Sequence, residues 1–249
     1  MPRLQLNDNL WSRMKTALFS CGVYETDDLR MTVEGVLYKL RVGCPWRDLP
    51  TYFGNWNSIF KCFNNWSKHG KLKRLFQVLV TDPDHEQTFL DASIVKAHQH
   101  SSGARKGEET AVGKSVAGNT TKIHLAVDAF GLPISFELTG GHVHDSKMGE
   151  TMVDLLPDLE MLVCDKGYDS DPLRKFVESK GASSNIPRKE NSKIGNSHMD
   201  WTLYKWRHLV ENAFARLKHF RSIATRYEKL KRNYDGMLRL ACCIIWLPM

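Results

Sequence analysis

Residues 161–169 read Met-Leu-Val-Cys-Asp-Lys-Gly-Tyr-Asp, an apolar run that stops at a carboxylate. Consecutive apolar residues of this kind are typical of a short strand buried on both faces, so a strand is predicted over residues 161–165. Open α/β sheets gather their functional groups at the carboxyl ends of their strands. Asp165 is therefore a candidate functional residue at the end of a buried strand.

A second carboxylate interrupts another strand pattern. Residues 88–97 alternate as a strand does, and Asp91 stands inside the segment Phe-Leu-Asp-Ala-Ser at residues 89–93. A carboxylate within an apolar strand costs free energy unless it is paired or binds a metal ion. Asp91 is therefore a second candidate, and the alternative is an ion-paired residue of an edge strand.

Strand and helix patterns alternate through the rest of this region. Further strands are predicted at residues 121–128, 133–139 and 183–186, and helices at residues 145–156, 170–180, 202–220 and 234–246. Gly181 holds the position expected after a helix end. Residues 98–118 are rich in Ser, Gly, Lys and Glu and are predicted to form a mobile loop. This order is that of an RNase H-like α/β domain with a mixed central sheet flanked by helices, although the order alone leaves other α/β folds open.

The first 82 residues carry helical patterns instead. One helix is predicted from Asp8, as the capping residue, to about residue 19, and another over residues 32–41, where Gly43-Cys44-Pro45 ends it. Asp82-Pro83-Asp84 is typical of a linker. The chain is thus divided into a small all-α domain, residues 1–82, and an α/β domain, residues 83–249.

A third helical face in the small domain is aromatic. Its large apolar side chains recur at helical spacing from residue 56 onward: Trp56, Ile59, Phe60, Phe63 and Trp66. Burial in the core is the favoured interpretation. The opposite face is basic, so a helix-turn-helix that lies against DNA phosphates stays open as an alternative.

Composition restricts the class of protein. The 249 residues are 42% hydrophobic and carry a net charge of +7, which suits a polyanionic partner. None of the six cysteines forms a C-x-x-C pair, so zinc knuckles and thioredoxin-like motifs are excluded and reduced thiols are expected. Residues 1–10 lack the apolar core of a signal peptide, and the apolar run at residues 238–247 is too short to span a bilayer. We therefore expect a soluble protein in the cytoplasm.

A third carboxylate lies on the helix predicted at residues 202–220. One stripe of this helix, about 60° wide, holds four polar residues: Tyr204, Arg207, Glu211 and Lys218. A carboxylate beside two cations and a phenol suits a phosphodiester site that binds a metal ion. The alternative is a solvated face on which Arg207 and Glu211 form an ion pair at i,i+4 spacing.

These residues together resemble the DDE transposases of insertion sequences. The helix matches the Y-x2-R-x3-E-x6-K signature of the branch named after insertion sequences four and five: Tyr204-x2-Arg207-x3-Glu211-x6-Lys218. The segments around Asp91 and Asp165 are similar to the strands that carry the first two acids of that branch. Residues 45–50, Pro-Trp-Arg-Asp-Leu-Pro, resemble the helical N-terminal domain of the insertion-sequence-five group. The resemblance runs from about residue 32 to the end of the chain.

The resemblance implies a cut-and-paste DNA transposase with an RNase H-like catalytic domain. The residues expected to hold two Mg²⁺ or Mn²⁺ ions, with the first bridging both, are Asp91, Asp165 and Glu211. The residues expected to hold phosphates at the transposon end are Tyr204, Arg207 and Lys218. Its partners would be double-stranded DNA, as terminal inverted repeats and target, and a second copy of the chain, because two ends must be brought together. The interval between the last two acids is too short for the β-rich insertion domain of some relatives.

Several alternatives remain at this point. An RNase H-like nuclease that cleaves without joining would show the same carboxylates, and an inactive DNA-binding derivative would keep the fold. Five histidines are metal-capable, although they meet no familiar zinc spacing: His98, His100, His124, His142 and His144. The basic residues after the signature either extend a DNA track or form a solvated turn: Arg221, Arg226, Lys229, Lys231 and Arg232.

Overall fold

The computed structural model describes every residue except Met1, Ser102, Arg105 and Lys106. Its helices are α1 (Asp8–Ser20), α2 (Leu29–Val42), α3 (Trp56–Lys68), α4 (Lys71–Leu79), α5 (Gly149–Asp154), α6 (Asp171–Ser179), α7 (Trp201–Tyr204), α8 (His208–Lys218), α9 (Arg221–Ala224) and α10 (Lys231–Trp246). Its strands are β1 (Thr88–Ala97), β2 (Gly113–Ser115), β3 (Gly118–Val127), β4 (Pro133–Gly140), β5 (Met161–Cys164), β6 (Ser183–Asn185) and β7 (Thr225–Arg226).

The chain forms two compact units. The first, called here the helical unit, comprises Met1–Thr81, Lys96–Thr110 and Leu217–Met249. The second, called the sheet unit, comprises Asp82–Val95 and Ala111–Arg216. Two later segments of the chain thus belong with the N-terminal helices, and the predicted domain boundary at residue 82 stays a prediction.

The helical unit is built on the apolar faces of its helices. The aromatic face predicted from residue 56 lies on α3. The interpretation as core is confirmed for Ile59, Phe63 and Trp66, whereas Trp56 and Phe60 are only half-buried. Gly43 follows α2 with φ +74°, a left-handed conformation that favours glycine, and it ends the helix as predicted. The predicted capping residue of α1 was wrong by one position, because the side chain of Asn7, not Asp8, accepts the Leu10 N–H.

The sheet is mixed and seven-stranded. Its strands follow the order β2-β3-β1-β5-β6, with β4 paired antiparallel to β3 and β7 paired parallel to the end of β1. The strands β1, β5 and β6 run parallel to one another. Helices α5 and α6 cover the sheet through a buried cluster that includes Leu90, Met152, Leu162 and Val177. The predicted mixed α/β fold class is confirmed.

Two predicted helices are broken. The helix predicted at residues 202–220 consists of α7, a 3-10 turn at Lys205–Arg207 and α8, followed by α9 and β7. No glycine or proline marks this break, so the sequence carries no signal for it. The helix predicted at residues 145–156 is a 3-10 turn at Asp145–Lys147 followed by α5. That helix begins at Gly149, where a Cβ would lie 2.6 Å from the side chain of Leu173.

Two further predictions are limited or overturned. The loop predicted at residues 98–118 includes three residues that lie outside the described part of the chain, and its other residues include a 3-10 turn at Gln99–Ser101 and strand β2. The hypothesis that the basic residues after the signature extend a DNA track is wrong for Arg226. This residue is fully buried, and its Nε donates to the Glu228 carbonyl at 2.9 Å. Burial lowers the pKa of Arg226 to about 10. None of the described helices is long and apolar enough to cross a membrane.

Glu34 ties the start of the chain to α2 in the helical unit. Its side chain is buried, and its two carboxylate oxygens accept the backbone N–H groups of Gln5 at 2.8 Å and Leu6 at 2.9 Å. Glu34→Gln replaces one acceptor with an NH₂ group, so a buried N–H loses its partner. We expect the free energy of unfolding in urea to fall by about 2 kcal/mol. Glu25→Gln, which alters an exposed ion pair with Lys15, is the control, and an equal effect in both variants would contradict this reading.

Candidate active site

The register of two parallel strands places two carboxylates side by side. Leu90 of β1 is paired with Cys164 of β5. Asp91 and Asp165 are the residues that follow these two on the neighbouring strand paths. Adjacent strands are about 4.8 Å apart, which brings the two residues close together. Both lie in the sheet unit at positions that the sequence predicted.

Each aspartate is oriented by a backbone amide. Asp91 Oδ1 accepts the Ala92 N–H at 2.8 Å, and Asp165 Oδ1 accepts the Gly167 N–H at 2.9 Å. Burial raises the pKa of Asp91 and the neighbouring charge of Asp165 raises it further, whereas the Ala92 amide and Arg207 act in the opposite direction. The site therefore holds a carboxylate whose charge the protein alone does not fully stabilise.

Arg207 joins the third carboxylate to the first. Its guanidinium donates from NH1 to Asp91 Oδ2 at 3.0 Å and from NH2 to Glu211 Oε1 at 2.5 Å. The Arg207 and Asp91 side chains are about one-fifth exposed, whereas that of Glu211 is 55% exposed. The Tyr204 ring lies 6.0 Å from the guanidinium carbon. The structure thus brings together Tyr204, Arg207, Glu211 and Asp91 as the signature predicted, even though α7 and α8 are not one continuous helix.

Two parts of the predicted site stay predictions. Lys218 is the last residue of α8 and belongs to the helical unit, whereas Tyr204, Arg207 and Glu211 belong to the sheet unit. Among the residues described, no group of three or more His, Cys, Asp or Glu side chains is arranged to hold a metal ion. The Arg207 guanidinium pairs with both Asp91 and Glu211. The donor set itself, carboxylates only, fits a hard divalent cation.

Comparison with known families identifies the chain. The sequence profile described as "Transposase DDE domain" matches residues 82–246. The chain belongs to this DDE transposase family. A second profile, described as "Putative transposase of IS4/5 family", matches residues 6–76. The resemblance seen in the Y-R-E-K signature is confirmed.

Curated relatives of this transposase-family chain come from bacteria. It is 37% identical over 128 residues to the "Putative transposase for insertion sequence element IS6501" of Brucella ovis. The aligned residues cover 51% of this chain and 98% of that protein. It is 29% identical over 136 residues to the "Putative transposase for insertion sequence element IS402" of Burkholderia cepacia, which covers 50% of this chain and 62% of that protein.

Solved structures resemble the chain only distantly. A piggyBac transposase synaptic complex with hairpin DNA matches with a TM-score of 0.35 and 14% identity, covering 76% of this chain and 43% of that one. A Mos1 transposase paired-end complex matches with a TM-score of 0.29 and 8% identity, covering 87% of this chain and 89% of that one. The chain therefore spans less than half of the piggyBac protein.

The turn that supports Asp165 was not predicted from the sequence. The residues that follow it form a 3-10 turn, Lys166–Tyr168. A Cβ at Gly167 would lie 2.9 Å from Asp165 Oδ1 and 3.4 Å from Asp145 Oδ2, so two carboxylates flank this glycine. The Lys122 ammonium, which lies 2.8 Å from Asp145 Oδ1, compensates the additional charge. Asp145 directly follows His144, one of the metal-capable histidines considered above, and it is the acid that lies beside Gly167.

His124 contacts the last residue of the 3-10 turn Lys166–Tyr168. Tyr168 is buried, and its hydroxyl lies 3.3 Å from His124 Nδ1, while His124 Nε2 lies 2.9 Å from Thr139 Oγ1. Burial lowers the pKa of His124 to about 4. A neutral imidazole thus belongs to the core of the sheet unit, which removes His124 from the metal-capable histidines considered above.

His124 makes the stability of the fold depend on pH. Its pKa is about 4 when folded and 6.5 at the ordinary value, so the unfolded chain binds the proton more tightly. The contribution is fully present above pH 6.5 and is lost as the pH falls toward 4. In urea titrations the difference in free energy of unfolding between wild type and His124→Gln is expected to shift by up to about 3 kcal/mol over this range. A difference that stays constant with pH would show that His124 is protonated equally in both states.

Proposed function

We propose that this chain is the transposase of an insertion sequence, which cleaves DNA at the ends of the element and joins the freed 3′ ends to target DNA. Family membership supports transposition in general. The observation that carries the specific reaction is the arrangement of acids: Asp91, inside β1, adjoins Asp165, which follows the end of the parallel strand β5, and Arg207 links Asp91 to Glu211. Open α/β sheets place their chemistry at this edge.

The three acids would hold two divalent cations, Mg²⁺ or Mn²⁺. Carboxylate ligands select hard cations of this kind. When bound, such ions activate the attacking oxygen and stabilise the charge on the leaving oxygen of a phosphodiester. The raised pKa of Asp91 supports this assignment, because a cation beside a buried carboxylate offsets the cost of its desolvation.

The side chains of the signature would hold DNA. Arg207 has a planar fork that suits phosphate oxygens as well as carboxylates, and Lys218 offers a point charge. Tyr204, beside Arg207, would complete the contact with the transposon end. Two ends must be brought together for one reaction, so the active complex is proposed to be a homodimer on double-stranded DNA.

A strand-transfer assay tests the reaction. Protein would be incubated with a duplex that carries the terminal repeat of its own element, supercoiled target DNA, and Mg²⁺, Mn²⁺ or EDTA. We expect metal-dependent joining that falls by about three orders of magnitude in Asp91→Ala, Asp165→Ala and Glu211→Ala. Glu190→Gln is a matched control, because this carboxylate is exposed and pairs only with Lys166 among the described contacts.

The other outcomes of this assay discriminate the alternatives. Cleavage without joining would replace the transposase by a nuclease of the same fold. DNA binding with neither reaction, in protein shown to be folded, would indicate an inactive DNA-binding derivative. Joining that survives all three alanine substitutions would show that the acids lie elsewhere.

Gly167→Ala tests how the second acid is positioned. The added Cβ would lie 2.9 Å from Asp165 Oδ1, so the carboxylate must move from its place. We expect the affinity for Mn²⁺, measured by calorimetry without DNA, to fall about tenfold, as it does when the support of a metal ligand is lost. Lys166→Ala, an exposed residue of the same turn, should keep the wild-type affinity. Equal affinities in wild type and Gly167→Ala would mean that the turn does not position Asp165.

A further inference from the structure

Residues 186–200, called here the connecting segment, join β6 to α7 in the sheet unit and lead directly toward Tyr204 and Arg207. Every residue of this segment is described, and it consists of turns without a helix or strand of its own. Such a segment lacks the repeated backbone hydrogen bonds that hold helices and strands in place. Its position therefore depends on side chains that reach it from neighbouring elements.

Asp169 is the first of these side chains. It ends the 3-10 turn that follows Asp165, and its Oδ2 accepts the backbone N–H of Lys189 at 2.9 Å. The side chain is only 10% exposed. A buried carboxylate at the end of the turn after the second acid thus holds the backbone of the connecting segment directly.

Arg174 of α6 joins the same carboxylate to the start of the connecting segment. Its Nη2 donates to Asp169 Oδ1 at 2.9 Å and to the Ile186 carbonyl at 2.8 Å, and its side chain is 9% exposed. Burial acts to raise the pKa of Asp169, but the hydrogen bonds from Arg174 and the Lys189 amide outweigh it and hold the pKa below its ordinary value. Asp169 is therefore charged at neutral pH and bound at both oxygens.

The far end of the connecting segment is fixed by Asn185. This residue ends β6, is paired with Val163 of β5, and is 4% exposed. Its Nδ2 donates to the Asp200 carbonyl at 2.8 Å, and its Oδ1 accepts the Asp200 N–H at 3.1 Å. Asp200 in turn accepts the first free amides of α7, those of Thr202 and Leu203, at 2.8 and 2.9 Å. The sheet thus determines where α7 begins.

Stability alone does not account for these buried charges. Desolvation of a buried ion pair offsets much of its attraction, so such a pair is weak evidence for stability and can instead specify one arrangement of the chain. Asp169 and Arg174 meet their partners when the connecting segment occupies its present position. By contrast, the pair of Lys166 and Glu190, which joins the same turn to the same segment, is 62% and 90% exposed and contributes little.

We propose that Asp169 is a positioning residue, which acts through the connecting segment to fix Tyr204 and Arg207 beside Asp91. Arg207 NH1 lies 3.0 Å from Asp91 Oδ2, so a shift of the chain before it changes this contact. A displacement of about 1 Å at a reacting site can slow a reaction about a hundredfold. The reaction concerned is the strand transfer proposed above, on which this inference rests.

Hydrogen exchange of the full chain, measured by mass spectrometry without metal or DNA, tests the link to the connecting segment. Asp169→Asn keeps the size of the side chain but removes its charge and one acceptor. We expect the amides of residues 186–204 to exchange about tenfold faster than in wild type, whereas those of β5 keep their wild-type rates. Asp171→Asn, the same substitution at an exposed carboxylate that pairs with Arg188, is the matched control and should change neither. Unchanged exchange in residues 186–204, or equal acceleration in β5, would overturn the proposal.

A double-mutant cycle with Arg207 tests whether the link reaches the signature residues. The affinity for a duplex that carries the terminal repeat is measured in EDTA, where catalysis does not contribute. We expect Asp169→Asn to weaken binding about tenfold in the wild-type background and to have little further effect in Arg207→Ala. Equal effects in both backgrounds would overturn the positioning role.

Failure of the proposed function has a different signature. Wild-type affinity in Arg207→Ala would overturn the phosphate contact proposed for Arg207, and the link detected by exchange would stand. Coupling between Asp169 and Arg207 in a wild-type protein that joins no DNA would overturn the proposed reaction and support the positioning role.

Discussion

The parallel pairing of β1 with β5 sets two like charges beside each other at the edge of a buried cluster. Leu90 and Cys164, one residue earlier on each strand, are fully buried. Asp91 and Asp165 therefore lie beside the core and are only partly exposed to water. The raised pKa of Asp91 reflects the free-energy cost of keeping its carboxylate charged when it is partly buried. Since the folded state holds that proton more tightly than the unfolded chain does, the associated stability is present at low pH and is lost as the pH rises through the raised pKa. Sites that sacrifice stability in this way are typical of function.

The surrounding residues limit that cost without removing it. Arg207 offers one guanidinium to two carboxylates, and Lys122 neutralises Asp145 on the other side of Gly167. Beneath them the neutral His124 meets the hydroxyl of Tyr168, the last residue of the turn that follows Asp165. A Cβ at Gly167 would displace the Asp165 carboxylate, and burial disfavours a charged imidazole at His124. Backbone, charge and core packing therefore fix the same short turn.

Much of this arrangement follows from sequence patterns. The limits of β1 were predicted correctly because its alternation is bounded by polar segments, and the spacing of the signature identified Arg207 and Glu211 as neighbours. The 3-10 turn before α8 was not predictable, because no glycine or proline marks it. Nor was the burial of Arg226, whose guanidinium is satisfied by carbonyl groups from distant segments such as that of Thr110. Local patterns report an element and its buried face, whereas burial of a charge depends on partners that only the tertiary structure supplies.

The three acids differ in how firmly they are held, and this difference bears on how a metal site forms. Asp91 and Asp165 are fixed by strand register and each accepts a backbone amide. Glu211 is more than half exposed, and the contact described for its carboxylate is the guanidinium of Arg207. Of the three carboxylates, that of Glu211 is therefore the least constrained by its described contacts. Because a guanidinium can bind phosphate as well as carboxylate, a DNA phosphate that reached Arg207 would compete with Asp91 and Glu211 for it. In the proposed site, that competition would leave the carboxylates of Asp91 and Glu211 free to hold a divalent cation.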